Sequence, residues 1–193
     1  MHRSIDIAVP KTIVLIGMMG VGKTSIGRRL AKRLGLKFTD SDQEVENAAK
    51  CSISDIFEIY GEEIFHDTER RVIKRLLDDS VHVLATGGSA FCDEKTKQMI
   101  KENGISIWLS ADLETLLPRI ERRDHRPQFN EESDTRETLR QLLEMYAPFY
   151  AEADIHIDCN DSTPEQTTDQ IILELNRYIS KMQSTSGKKI HHG

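Results

Sequence analysis

Short apolar runs alternate along this chain with longer stretches in which apolar residues return every three or four positions. Thr12–Ile16, Val81–Ala85 and Ser106–Leu109 are nearly continuous in apolar character, as strands buried on both faces are. Lys37–Thr39 and Ile155–Ile157 are shorter β-rich runs, which brings the predicted strands to five. Between the first two strands Ile26, Leu30, Ala31 and Leu34 recur at helical spacing, and Gly35 follows where a left-handed cap ends a helix. A short helix is predicted over Asp55–Tyr60, with Ser54 as N-cap and Gly61 after its end. A longer one over Glu62–Leu77 carries Phe65, Val72, Ile73 and Leu76 on one side. Further helices fit Asp93–Asn103, Asp112–Ile120, Arg136–Tyr146 and Pro164–Met182, the last opening on proline. Strands separated by helices predict an α/β fold, a parallel sheet covered by helices.

Two segments break the pattern. Residues 121–133 crowd Arg122, Arg123, His125, Arg126, Glu131 and Glu132 around Pro127 with little apolar content, which predicts a surface lid. Residues 183–193 are small and polar and are expected to be a disordered tail, leaving residues 1–182 as one domain. Apolar runs of five or six residues fall far short of the roughly 20 that cross a bilayer. The first ten residues lack the continuous hydrophobic region of a secretion signal. Three cysteines, Cys51, Cys92 and Cys159, stand far apart in an odd number, so a reducing cytoplasm is the expected compartment. A net charge of −6 argues against a dedicated nucleic-acid binder, so an anionic ligand must be held by local geometry.

That geometry is offered by Gly17-Met18-Met19-Gly20-Val21-Gly22-Lys23-Thr24, which matches G-x-x-x-x-G-K-[ST] between an apolar strand and an amphipathic helix. Glycines let the backbone curl with its N–H groups inward, and the helix N-terminus adds roughly half a positive charge. Gly20, Val21, Gly22, Lys23, Thr24 and Ser25 are therefore the expected ATP-phosphate site, with Lys23 bridging the β- and γ-phosphates and Thr24 offering its hydroxyl to Mg²⁺. The motif by itself does not distinguish a kinase from a GTPase or a motor ATPase. A base-reading Asn-Lys-x-Asp motif, which a GTPase needs, does not occur.

Asp40-Ser41-Asp42 follows the second strand. If the chain is still extended there, period two sends both carboxylates towards the ligand-binding edge of the sheet, one to organise Mg²⁺ through water and one to orient or deprotonate an acceptor hydroxyl. The alternative is an acidic turn in which Asp42 caps the next helix. Thr86-Gly87-Gly88-Ser89 either presents bare backbone to a substrate or is an ordinary turn between strand and helix.

Taken in order, GMMGVGKT, DSD, GEEIFHDTE, ATGGSAF, HRP and APFYAEAD resemble the shikimate kinase family from about Ile13 to Leu175. The resemblance implies a three-layer P-loop kinase fold with a five-stranded parallel sheet, an acceptor-binding segment at about 40–72 and a lid at about 121–133. It implies transfer of the ATP γ-phosphate to the 3-hydroxyl of shikimate, on the way to aromatic amino acids. Apart from the resemblance, a monomer without membrane or nucleic-acid partners is expected. Carried over by position, Lys23 and Thr24 hold phosphate and Mg²⁺, Asp40 supports the metal, Asp42 receives the hydroxyl proton and Gly88 gives a backbone contact to substrate. Arg126 in the lid matches the arginine beside the transferring phosphate, or is one of several exposed lid charges.

The same resemblance exposes three departures. Where the family holds the shikimate carboxylate with two arginines, this chain has His66 and Tyr146, and Ser89 replaces the third glycine of the glycine loop. Arginine offers a planar charged fork; neutral histidine gives one donor and tyrosine one hydroxyl. Arg70 lies one helical turn after His66 and reaches the same face, either as a replacement clamp or paired with nearby acids such as Asp67. A protonated His66 is another substitute. Shikimate is the leading acceptor, with another small hydroxylated metabolite, or ATP binding with feeble turnover, as alternatives.

Overall fold

The computed structural model describes residues 7–122 and 134–187. Most of the expected lid, Arg126 with it, and the last six residues lie outside the described residues. The chain runs β1 (Thr12–Ile16), α1 (Lys23–Leu34), β2 (Phe38–Asp40), α2 (Ser41–Ala49) and α3 (Ile53–Asp55), which continues as a π-helical turn at Ile56–Tyr60. Then come α4 (Glu62–Leu77), β3 (Val83–Ala85), a 3₁₀ turn (Ala90–Cys92), α5 (Glu94–Asn103), β4 (Gly104–Ser110), α6 (Leu113–Glu121), α7 (Thr135–Tyr150), β5 (Ile155–Asp158) and α8 (Pro164–Gly187).

The five strands form one parallel sheet in the order β2-β3-β1-β4-β5. Leu15 of β1 stands in register with Ala85 of β3 on one side and Ile107 of β4 on the other. Alternation then divides β1 between two cores. Ile13 and Leu15 join the cluster under α1, α6 and α8, while Val14 and Ile16 join the one under α4 and α5. Every residue of β1 is buried, which is why its sequence is an apolar run and not an alternating pattern. The chain leaves β1 for β2 on one side and later passes from β3 across β1 to β4. The carboxyl end of β1 is therefore a switch point, where sheets of this kind bind ligands.

Several boundaries depart from the sequence expectation for identifiable reasons. Ser52, not Ser54, caps α3, because Ser52 lies three residues before Asp55 and the two exchange side-chain and backbone hydrogen bonds as a capping box. Helix α2, which has no counterpart among the predicted helices, starts where Asp40 accepts from the Asp42 amide. Helix α7 continues through Pro148 to Tyr150, four residues past its expected end at Tyr146; the proline costs one backbone bond, and burial of Tyr150 anchors the final turn. Helix α8 opens on a Thr163–Gln166 capping box and runs to Gly187, into the stretch expected to be disordered. No helix among the described residues is long and apolar enough to cross a membrane.

Since Leu15 is fully buried between β3 and β4, Leu15→Ala should lower the unfolding free energy by about 2–5 kcal/mol. Urea denaturation measures this, and a loss below about 1 kcal/mol would show that the sheet centre relaxes around the cavity.

Candidate active site

The loop from β1 to α1 turns on three glycines with positive φ, Gly17 at 140°, Gly20 at 82° and Gly22 at 104°. A Cβ at Gly17 would strike the carbonyl oxygen of Leu109, so the loop passes flush against β4. Lys23 folds back and donates to the carbonyls of Gly17 (2.6 Å) and Met18 (3.0 Å), keeping its ammonium against the loop backbone. Beside the loop a pocket of about 90 Å³ is lined by Val21, Gly22, Ser25, Ile26, Arg119 and Pro164, among others. Arg119 also donates to the carbonyl of Gly20 at 3.4 Å. The predicted phosphate residues from Gly20 to Ser25 thus gather at the start of α1, next to a small recess with apolar and cationic walls.

Only Asp40 is still extended, as the last residue of β2; the chain enters α2 directly after it, so Ser41 and Asp42 are helical. The N-cap geometry brings the two aspartates together instead. One oxygen of Asp40 accepts from the Thr24 hydroxyl at 2.9 Å and the other from the Asp42 amide at 3.0 Å. A hydroxyl and a carboxylate oxygen side by side at the head of α1 are hard donors of the kind Mg²⁺ takes, and two protein ligands leave room for phosphate and water. Among the described residues no group of three or more His, Cys, Asp or Glu gathers as an all-protein metal cage. The residues present therefore fit a phosphate-bound Mg²⁺.

Ser41 is fully buried, and its hydroxyl accepts from the Gly87 amide at 3.2 Å, tying α2 to the glycine turn after β3. Gly87 in turn faces Asp42 and Glu69: a Cβ there would lie 2.8 Å from an oxygen of each. Burial, then the neighbouring charges of Glu69 and Asp40, push the Asp42 carboxyl up to about 7 against the opposing pull of Lys23. A carboxyl near neutrality is well matched to taking a proton from an alcohol.

An open cleft of about 1050 Å³ lies beside this cluster, lined among others by Phe57, His66, Arg70, Ser89, Cys92 and Tyr146. Nδ1 of His66 is 3.5 Å from a carboxylate oxygen of Glu69, and Nε2 is 3.4 Å from Glu62. Glu69 is only 2% exposed, and its second oxygen has no hydrogen-bond partner among the described residues. Arg70 spends its fork on Asp93, with Nε at 3.2 Å and Nη2 at 3.0 Å, and holds that carboxyl well below its usual range. Tyr146 reaches the cleft from α7. One turn on, the Tyr150 hydroxyl donates to the carbonyl of Gly88 at 2.5 Å, and its ring leans on Trp108 at 5.8 Å. Trp108 is itself stacked on His156 at 4.0 Å.

The structure gathers Lys23, Thr24, Asp40, Asp42 and the glycine turn into one corner and places His66, Arg70 and Tyr146 around the adjoining cleft. Arg126 lies outside the described residues. Three participants escaped the sequence reading. Glu69 sits at helical spacing from His66 within GEEIFHDTE, so its place on the same face was legible. Ser41 lies inside the DSD motif, and Arg119 carried no local signal.

The Shikimate kinase family model matches residues 19–176. A shikimate kinase of Paramagnetospirillum magneticum is 51% identical over 171 residues, covering 89% of this chain and 87% of the relative. One from Caulobacter vibrioides is 52% identical over 163 residues, covering 84% and 80%. The solved structure of an Acinetobacter baumannii shikimate kinase in complex with shikimate superposes with a TM-score of 0.80 at 36% identity, covering 84% of this chain and 90% of that one. With a parallel sheet in P-loop order, a phosphate loop at its switch point and relatives of this similarity over most of their length, the chain belongs to the shikimate kinase family.

Proposed function

We propose that this chain transfers the γ-phosphate of ATP to the 3-hydroxyl of shikimate. The observation that carries the reading is the placement of the Asp42 carboxylate beside Gly87 and Glu69, two residues from the Asp40–Thr24 pair. In this mechanism the acceptor oxygen attacks the γ-phosphorus, its proton passes to Asp42, and the bond to the bridging oxygen of ADP breaks. The loop amides and Lys23 hold the phosphates, and the pocket at Val21, Arg119 and Pro164 receives the base. Thr24 and Asp40 would hold Mg²⁺, which when bound neutralises phosphate charge. Gly88 offers backbone to the acceptor, and Arg126 supplies lid charge to the transferring phosphoryl group. The fold acts as one domain and as a monomer, and the three free cysteines suit the cytoplasm.

One observation favours a second reading. His66 and Tyr146 supply no arginine fork, the Arg70 fork is engaged by Asp93, and Glu62, Glu63, Asp67 and Asp93 line the cleft against Arg70 and Lys95. An uncharged hydroxylated acceptor would meet no desolvated anion pair there.

A coupled assay with Mg·ATP, shikimate and a panel of polyols decides between the two. ADP release with shikimate is expected; turnover only with an uncharged polyol would overturn the assignment. Asp42→Asn should lower kcat by about 10²–10⁴-fold while leaving ATP affinity nearly unchanged, measured by steady-state kinetics and nucleotide titration. Gly87→Ala forces a methyl between Asp42 and Glu69 and should cost about 10²-fold in kcat/KM with little change in melting temperature, since a misplacement of about 1 Å at a reacting group costs this much.

A further inference from the structure

We propose that Tyr150 is a positioning residue, its hydroxyl setting the acceptor turn at Gly88 against the phosphate loop. The inference rests on the kinase reading above and adds to it the part of the frame that aligns the two substrates. The Tyr150 hydroxyl donates to the Gly88 carbonyl at 2.5 Å. A Cβ on Gly88 would lie 3.8 Å from that hydroxyl, 3.7 Å from the Met19 amide nitrogen and 3.9 Å from the Gly17 carbonyl oxygen. Three segments therefore meet at one point: the last turn of α7, the turn after β3 and the phosphate loop. The Gly17 carbonyl also accepts from Lys23 at 2.6 Å, so Gly88 borders the same loop backbone that holds the phosphate-binding ammonium.

The hydroxyl belongs to the rigid frame and not to the turn. Tyr150 is 2% exposed, and its ring meets Trp108 at 5.8 Å and Tyr146 at 6.0 Å. Its neighbours in the chain are tied to separate elements. The Lys97 ammonium of α5 lies 5.5 Å over the Phe149 ring and 2.6 Å from Glu152. Asp154 accepts from the amide and the hydroxyl of Ser106 in β4, each at 2.8 Å. Burial raises the phenol well above its ordinary value of 10, so it stays a donor wherever the protein is folded near neutral pH. The turn itself has less to hold it. The Gly87 amide donates to Ser41 at 3.2 Å and the Ala90 amide to the Gly87 carbonyl at 3.3 Å, both at the long end of the usual range. Gly88 and Ser89 between them are half-buried. The short bond from Tyr150 is therefore what ties the middle of the turn to the frame.

Transfer requires the acceptor oxygen about 3–3.5 Å from the phosphorus, and a misplacement of about 1 Å costs about 10²-fold in rate. Tyr150→Phe removes the hydroxyl and keeps the ring. At a temperature where thermal melting shows the variant folded, kcat should fall about ten- to a hundredfold while ATP affinity, read by nucleotide titration, stays within about twofold. Hydrogen exchange of the Gly87 and Ala90 amides should speed up about five- to tenfold, with that of α1 unchanged. Trp108→Phe, which loosens the packing of the Tyr150 ring but keeps its hydroxyl, should lower the melting temperature and leave kcat within about twofold. A Tyr150→Phe kcat within about twofold of wild type, or unchanged exchange at the turn, overturns the proposal. So does an equal loss of kcat in Trp108→Phe, which would trace the effect to packing, or a Tyr150→Phe chain that no longer folds, which would make the hydroxyl a structural element only. Faster turn exchange in Tyr150→Phe, with no ADP release by wild type from shikimate or any polyol, would sink the kinase reading and leave the anchored turn standing. ADP release with shikimate that Tyr150→Phe matches would do the reverse.

Discussion

Everything at the active corner depends on how closely the loop after β1 approaches the end of β4. Gly17 has no room for a side chain against the Leu109 carbonyl, and its φ of 140° is one that residues with a Cβ rarely adopt. The loop is thereby fixed to the rigid centre of the sheet, where β1 is paired on both sides and wholly buried. A phosphate held there inherits the position of the sheet. The Thr24–Asp40 hydrogen bond carries that position to β2, and the Ser41–Gly87 bond carries it on to the turn after β3.

The acceptor side works against stability. Asp42 and Glu69 meet across Gly87, and an oxygen of buried Glu69 lacks a hydrogen-bond partner among the described residues. Burial of unpaired carboxylates costs free energy. Burial and the charge of Glu69 push the Asp42 carboxyl up to about 7 from its ordinary 3.8, so between these limits the folded chain holds more protons than the unfolded one. Stability contributed by a protonated Asp42 is therefore lost as pH rises through that interval. Such a penalty is tolerated where two acids must face one reacting group.

Local signals in the sequence carried much of the architecture. The strands were legible because a parallel sheet buried on both faces demands apolar runs, and the phosphate loop because its glycines and its strand-to-helix setting coincide. Helix α2 was missed because Ser41–Ala49 has only Val45 as an apolar buried anchor, too little for helical periodicity. The continuation of α7 past Pro148 rests on burial of Tyr150, a tertiary fact no local rule contains. At the site, Asp40 and Asp42 were singled out on the premise of an extended chain, and the helix cap brings them together by another route. Arg70 matched His66 in helical phase, but its partner Asp93 lies 23 residues away, a distance that spacing on one helix cannot report.

The stack of Trp108 on His156 and its contact with Tyr150 place the chain's sole tryptophan one hydrogen bond from the turn that carries Gly88. Indole fluorescence responds to its immediate polar and aromatic neighbours. Movement of that turn or of the last turn of α7 would thus be written into the intrinsic emission, giving the protein an optical gauge of its own acceptor site without any attached dye.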